Sequence, residues 1–347
     1  MTTQGAGKPG MAFWAIAAVV LVWAVLSVLE LPNATYTGYI TTPQNVVNDV
    51  EAGSPADVAG LQVGDRITSF DGIPVEDTKA LNQAPRVVPG TQREIGVERA
   101  GQVMTVSLTV GSPTGMNQAV NWLGVLIGLT YLLLPIWARS RSGSAASVML
   151  AWFGICFAFA FMNGPYFSSP TIRNLLGAAS LTVIVLGFAL LLRFVLAFPF
   201  QSPFLAKPAA RYWIYGPATF IALMFAYLFL GQPAATSGLN AVVNILVGAF
   251  IIGYFGASLF TLISRYRSAS AEARSSSGLS LMLWGAVIAL VPLVLTSLLA
   301  MAAPMVVLPG QQFYFLALIL IPIAFSRAVA NAGTGTPAAP AVAAGMG

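Results

Sequence analysis

The sequence predicts an α-helical polytopic membrane protein with about eight transmembrane helices and one small extracytoplasmic α+β domain inserted after the first of them. Three observations carry this prediction. The chain of 347 residues is 57% hydrophobic and 8% charged, with a mean hydropathy of +0.80, whereas soluble domains hold roughly 25% charged residues. Nine of the 11 acidic residues fall between Asp49 and Glu98, so a single stretch has the make-up of a water-exposed domain. Most basic residues outside that stretch flank long apolar runs, where Lys and Arg set membrane orientation.

Residues 1–10 read as a cytoplasmic amino terminus. Residues 11–31 are apolar as far as Glu30 and long enough to cross a bilayer, which takes about 20 residues. They read as an uncleaved anchor. A cleaved signal peptide has a shorter apolar core and more positive charge before it than Lys8 alone.

From residue 36 to residue 111 the pattern is that of a folded domain. Strands are expected at Val46–Val50, Arg66–Phe70, Glu94–Glu98 and Val103–Val110, with turn residues between them. Short helices are expected at Pro55–Ala59 and Asp77–Gln83. The first has Ser54 as N-cap, Pro55 in its opening position and Gly60 as its stop.

Residues 118–327 form a seven-helix membrane domain, with apolar runs at about 118–138, 145–163, 175–200, 212–231, 239–264, 279–303 and 311–327. Residues 328–347 are rich in Ala, Gly, Pro and Thr and carry no charge, and a disordered cytoplasmic tail is expected there.

Orientation follows from the loops. With eight spans and the amino terminus inside, ten basic residues fall on the cytoplasmic side: Lys8, Arg139, Arg141, Arg193, Lys207, Arg211, Arg265, Arg267, Arg274 and Arg327. Outside the small domain, the opposite side has only Arg173. This bias places both termini in the cytoplasm and the small domain outside it. The basic residues are thus topological signals, and no nucleic-acid partner is expected.

Other chemistry is excluded by composition. The chain has no histidine and one cysteine, Cys156. A Ser-His-Asp triad, a His-Glu-x-x-His zinc protease, a His-ligated haem and a histidine phosphoacceptor all need the missing residue. An intrachain disulfide or a thiolate metal cage needs more than one cysteine. The spans offer neither a pair of embedded aspartates nor a mid-membrane lysine. The expectation is therefore a protein that is not an enzyme, with no cofactor and no metal.

The run from Val46 to Ile67, with Ser54-Pro55-Ala56, Ala59-Gly60-Leu61 and Gly64-Asp65, followed by Phe70-Asp71-Gly72, resembles a bacterial PDZ domain. The likeness is to those of high-temperature-requirement serine proteases and site-2 proteases. It implies recognition by strand addition, in which an extended carboxyl terminus pairs with an open sheet edge beside a helix. Carried over by position, Tyr36, Thr37, Gly38 and Tyr39 would be the carboxylate loop. Tyr39, Ile40, Thr41 and Thr42 would be the pairing strand, with Thr78, Leu81 and Asn82 as contacts on the far wall. The alternative is that this groove takes no free peptide and rests on the membrane domain.

Three further stretches resemble the membrane-embedded input region of PDZ-containing sensor kinases of the quorum-sensing competence type. They are Leu191–Pro199, Glu272-Ala273-Arg274 with Leu283-Trp284-Gly285, and Leu320–Ala328. No kinase segment follows Arg327 in this chain. The resemblance implies an inner-membrane signal-input protein that binds an extracytoplasmic peptide or protein C-terminus, sits in the lipid bilayer and acts through a separate cytoplasmic output protein. Two alternatives stand beside it: a PDZ scaffold of an envelope complex, and a transporter-like protein with an accessory domain.

Overall fold

A computed structural model describes residues 10–42, 44–233, 237–303, 305–306, 308 and 311–334. The apolar runs expected to span all form helix. Helix α1 is Met11–Glu30; after the small domain come α4 (Gly115–Arg141), α5 (Ala145–Phe161), α6 (Pro170–Ala197), α7 (Ala210–Gly231), α8 (Ser237–Ser268), α10 (Leu279–Ala302) and α11 (Leu320–Thr334). A short helix α9 (Ala271–Ser276), capped by Ser270, joins α8 to α10. Among the described residues, seven helices are long and apolar enough to cross a membrane. The seventh runs over Tyr314–Ala332, a 3-10 segment continued by α11, and the exception is α5, whose 17 residues extend about 25 Å, short of the ~30 Å hydrocarbon core.

Two boundaries differ from expectation. Part of the last apolar run, Gln311–Ile319, is a 3-10 helix, and α11 begins only at Leu320. Helix α11 then continues to Thr334, with Ala328, Val329 and Ala330 buried, where a disordered tail was expected from residue 328. Small apolar side chains packed against a neighbouring helix favour helix over coil here, and Gly278 at the start of α10 lies directly against Ala328. The rest of the expected tail, residues 335–347, lies outside the described residues.

The membrane helices pack in sequence order, α4 on α5, α5 on α6 and α6 on α7; α11 closes on α4 and α10, and α8 on α6 and α10. Close approach of α4 and α5 depends on Gly154. A Cβ there would stand 2.3 Å from the Tyr131 carbonyl oxygen. An aromatic row fills the space this creates: Tyr131, Phe153, Phe157 and Phe188 form successive ring contacts. The Tyr131 hydroxyl, buried in this row, donates to the Leu318 carbonyl at 3.0 Å. That bond satisfies a polar group which lipid could not. Helix α1 is held by Trp23, whose Nε1 donates to Met162 O at 3.1 Å, and by Ser27, whose Oγ accepts from Gly164 N at 2.7 Å.

The small domain contains β1 (Tyr39–Thr41), β2 (Val47–Val50), α2 (Pro55–Val58), β3 (Arg66–Phe70), β4 (Ile73–Pro74), α3 (Thr78–Gln83), β5 (Gln92–Arg99) and β6 (Gln102–Thr109). Strands β1 and β2 form an antiparallel pair, and a second antiparallel sheet has the order β4-β3-β5-β6. Asp71-Gly72 joins β3 to β4, and both residues have positive φ, 51° and 77°, the backbone of a two-residue hairpin turn. Val47, Leu61, Ile67, Ile95, Val97 and Leu108 are the buried centre. The segments entering and leaving the domain are bonded to each other, Tyr36 N to Gly111 O and Gly111 N to Tyr36 O, each at 2.9 Å.

The aspartate of Gly64-Asp65 has a defined task. Asp65 is 1% exposed and accepts from Gln62 N at 2.8 Å and from Arg99 Nε and a terminal Arg99 nitrogen at 2.6 and 2.7 Å. Arg99 also donates to Gly60 O at 2.8 Å. The pair thus ties the turn before β3 to the end of β5. Hydrogen bonds from Arg99 hold the Asp65 carboxyl below its ordinary value of 3.8. Because the folded-state value is depressed, the stabilisation is complete above pH 3.8 and fades as pH falls through the lower folded value. Asp65→Ala should cost the domain about 2–3 kcal/mol, the worth of hydrogen bonds to a charged group, and should flatten this acid dependence. Limited proteolysis of the domain in the full-length protein, followed against pH, measures both effects.

Candidate peptide groove

Strand β1 pairs with β2 along one edge, and among the described residues no strand lies along the other. An unpaired edge of this kind presents backbone donors and acceptors for strand addition. Tyr39 turns into the small-domain core, while Ile40 points outward at 43% exposed. Thr41 ends the strand. Thr42 is not available to a peptide, since it is buried and its Oγ1 accepts from Gln44 N and Val46 N, both at 3.3 Å. Its hydroxyl shapes the turn between β1 and β2, a task that its position in the expected pairing strand did not reveal.

The loop before β1 is tightly built. Gly38 has φ of 79°, and a Cβ at this position would stand 2.1 Å from Ser54 Cβ. Its carbonyl accepts from Glu51 N at 2.8 Å and from Ser54 Oγ at 3.3 Å, and Thr37 O accepts from Ala56 N at 2.9 Å. Ser54 also caps α2 by accepting from Asp57 N at 3.2 Å, so one hydroxyl links loop and helix. The Tyr36 hydroxyl donates to Glu51 Oε2 at 2.6 Å. Burial, reinforced by that carboxylate, pushes the Tyr36 phenol up to about 12, so it remains a donor at physiological pH. Sequence reasoning did not place Glu51 beside the expected carboxylate loop.

Helix α3 starts at the Asp77 cap, which accepts from Ala80 N at 2.9 Å. Thr78, Leu81 and Asn82 are three and four residues apart and share one helix face. Thr78 is exposed; Leu81 and Asn82 are half-buried. Asn82 reaches the membrane helices: its Nδ2 donates to Asn174 Oδ1 at 2.6 Å, and its carbonyl accepts from Arg173. Arg86, just after α3, forms an ion pair with Glu30 at the end of α1. Tyr166 lies under both Arg86 and Arg173, with guanidinium carbons 4.4 and 5.2 Å from its ring centre. One wall of the expected groove therefore rests on the membrane helices, and β1 keeps an unpaired edge. A cleft of about 390 Å³, lined by Glu30, Asn33, Leu81, Asn82, Arg86 and Arg173 among others, lies at this seam. Glu30 and Arg173 had a signal in the sequence, each being the isolated charge of its neighbourhood; the contact with Asn82 had none.

Residues 46–99 match the PDZ domain family. The PDZ domain is homologous to the PDZ regions of proteins named as proteases. The chain is 32% identical over 80 residues to the regulator of sigma-E protease of Escherichia coli, covering 23% of this chain and 18% of that protein. It is 31% identical over 99 residues to a zinc metalloprotease of Shouchella clausii, covering 28% and 23%. It is 41% identical over 75 residues to the magnetosome formation protease of Magnetospirillum gryphiswaldense, covering 21% and 10%. The chain thus spans less than a quarter of the length of each of these relatives.

These names overturn the expectation of a chain that is not an enzyme: the three relatives are named as proteases, one of them for zinc, and the likeness points toward a protease. The likeness lies in the PDZ region. Among the described residues no group of three or more His, Cys, Asp or Glu side chains converges, so the donors described do not fit a zinc ion.

Gly38→Ala should deform the loop, since the left-handed backbone and the contact with Ser54 both oppose a side chain. The expected cost is about 1–3 kcal/mol, read as faster amide exchange in residues 36–42 and Ser54–Val58 of the full-length protein.

Proposed function

We propose that this chain is an inner-membrane signal-input protein whose PDZ domain binds an extended peptide or protein C-terminus on the extracytoplasmic side and passes its occupancy to the membrane helices. One observation carries this reading. Helix α3, a wall of the groove, is bonded through Asn82 to Arg173 and Asn174 at the start of α6. A polypeptide entering between β1 and α3 presses on a helix already fastened to a membrane span. A ligand shifts such an equilibrium only by binding two arrangements differently, and a wall bonded to α6 is the element through which that difference would reach the bundle. The PDZ relatives are named as proteases, which favours polypeptide segments as the ligand class; holding such a segment is a step that a protease also requires.

The orientation has support in the helix ends. Arg139 and Arg141 close α4, whose first residue follows the PDZ domain, and 27 residues of helix extend about 40 Å. At the far end of α6 from Arg173, Arg265 donates to Leu196 O at 2.7 Å and Phe198 O at 3.1 Å. Basic side chains therefore gather at the end of the bundle away from the PDZ domain, as the positive-inside bias requires for a cytoplasmic face.

Two measurements test this reading. In a Cys156→Ser background, a cysteine at Val103 should react with a membrane-impermeant maleimide in intact cells, and one at Arg267 should react only after lysis; the reverse pattern would invert the topology. A photo-crosslinking residue at Ile40 should capture polypeptide in cells, and Gly38→Pro should remove that capture. Association with a cytoplasmic partner should change in the same variant. Capture that persists in Gly38→Pro contradicts the groove, and a cytoplasmic association that never changes leaves a scaffold.

A further inference from the structure

This inference rests on the reading of β1 and α3 as a polypeptide groove and concerns its charged end. The seam cleft opens between the segment leading into the loop, at Asn33 and Thr35, and the α3 residues Leu81 and Asn82. Thr35 directly precedes the loop of Tyr36–Tyr39, at which a C-terminus bound as in other PDZ domains would finish. Arg86 and Arg173 line the cleft beside a single carboxylate, Glu30, so its balance of charge is positive. Across the loop the balance is reversed, because Glu51 Oε2 lies 2.6 Å from the Tyr36 hydroxyl, and that hydroxyl is 2.9 Å from where a Gly38 Cβ would stand. A carboxylate approaching the loop is repelled on the Glu51 side and attracted on the cleft side.

The two arginines differ in what they have left to give. Arg173 is spent on fixed partners, donating to Tyr166 Oη at 3.1 Å, to Phe167 O and Ser168 O at 2.8 Å, and to Asn82 O. It contributes charge and holds α3 in place. Among the described residues, Arg86 donates only to Glu30, and a guanidinium has five N–H groups. Its side chain is 28% exposed, so water and solutes reach it, while the Tyr166 ring 4.4 Å from its guanidinium carbon fixes its plane.

We propose that the seam cleft is the carboxylate site of this protein, with Arg86 binding the terminal carboxylate of a polypeptide through the N–H groups that Glu30 leaves unused. The site is composite: the PDZ domain supplies Arg86, and the membrane helices supply the Arg173 charge and the Tyr166 platform. A second carboxylate on Arg86 weakens its hold on Glu30, the last residue of α1, so occupancy is felt at the end of a membrane span.

The test uses the full-length protein in phosphatidylcholine nanodiscs and two random, N-acetylated decapeptide pools, identical except for a free carboxyl or an amide at the C-terminus. Retained peptide is quantified by mass spectrometry. The free-acid pool should be retained about tenfold more strongly than the amide pool, the scale of a charge-assisted hydrogen bond. Arg86→Gln should abolish the preference, Arg86→Lys should keep most of it, and Arg66→Gln, at an exposed position away from the cleft, should leave it unchanged. Equal retention of both pools, above that of empty discs, keeps the groove and overturns the carboxylate site. So does a preference that survives Arg86→Gln. Retention of neither pool overturns the groove and this site together. A preference lost on adding phosphatidylglycerol assigns the cleft to a lipid headgroup and overturns the peptide carboxylate.

Discussion

Backbone amides and carbonyls must find partners, and hydrocarbon supplies none. The architecture follows from that constraint. Within the bilayer the chain takes helices, whose bonds are internal, and key buried side chains find individual partners: Tyr131 the Leu318 carbonyl and Trp23 that of Met162. Strand β1, with one unpaired edge, is tolerated only where water or a ligand can satisfy it. Separating the chain into a helical bundle and a PDZ domain is thus the same requirement met in two solvents.

Where the two solvents meet, the protein places a polar seam. Glu30, Arg86, Tyr166, Arg173, Asn82 and Asn174 are joined by an ion pair, hydrogen bonds and guanidinium–ring contacts. Each such contact near the surface is modest alone, because solvent and salt screen exposed charge. Their collective effect is orientation. A domain entered and left through short connections, Leu31–Asn33 on one side and residues 112–114 on the other, has little freedom to turn, and the seam removes much of what is left. The groove helix is consequently part of the contact between the domains.

The similarity to proteases changes how the PDZ domain is understood. Its relatives carry the module within chains named for proteolysis, so the PDZ module is the element they share with this chain. In this chain that module is fastened to the membrane helices through α3, by the bonds of Asn82 to Asn174 and Arg173.

Local patterns made much of this legible. Arg66–Phe70 reads as a strand and is one; Ser54-Pro55 opens α2 through a cap that needs only neighbouring residues; the apolar runs form helix because lipid leaves a chain no other choice. Such features depend on residues close in sequence or on the solvent. The task of Thr42, the position of Glu51, the helical continuation from Ala328 to Thr334 and the bonds between Asn82 and Arg173 depend instead on segments far apart in the chain. The sequence by itself determined the helices, the PDZ domain and the separation of charge, because periodicity, turn chemistry and hydropathy act locally. Only the tertiary structure decided which charges meet at the seam, since a long-range contact has no local signature until the chain has folded.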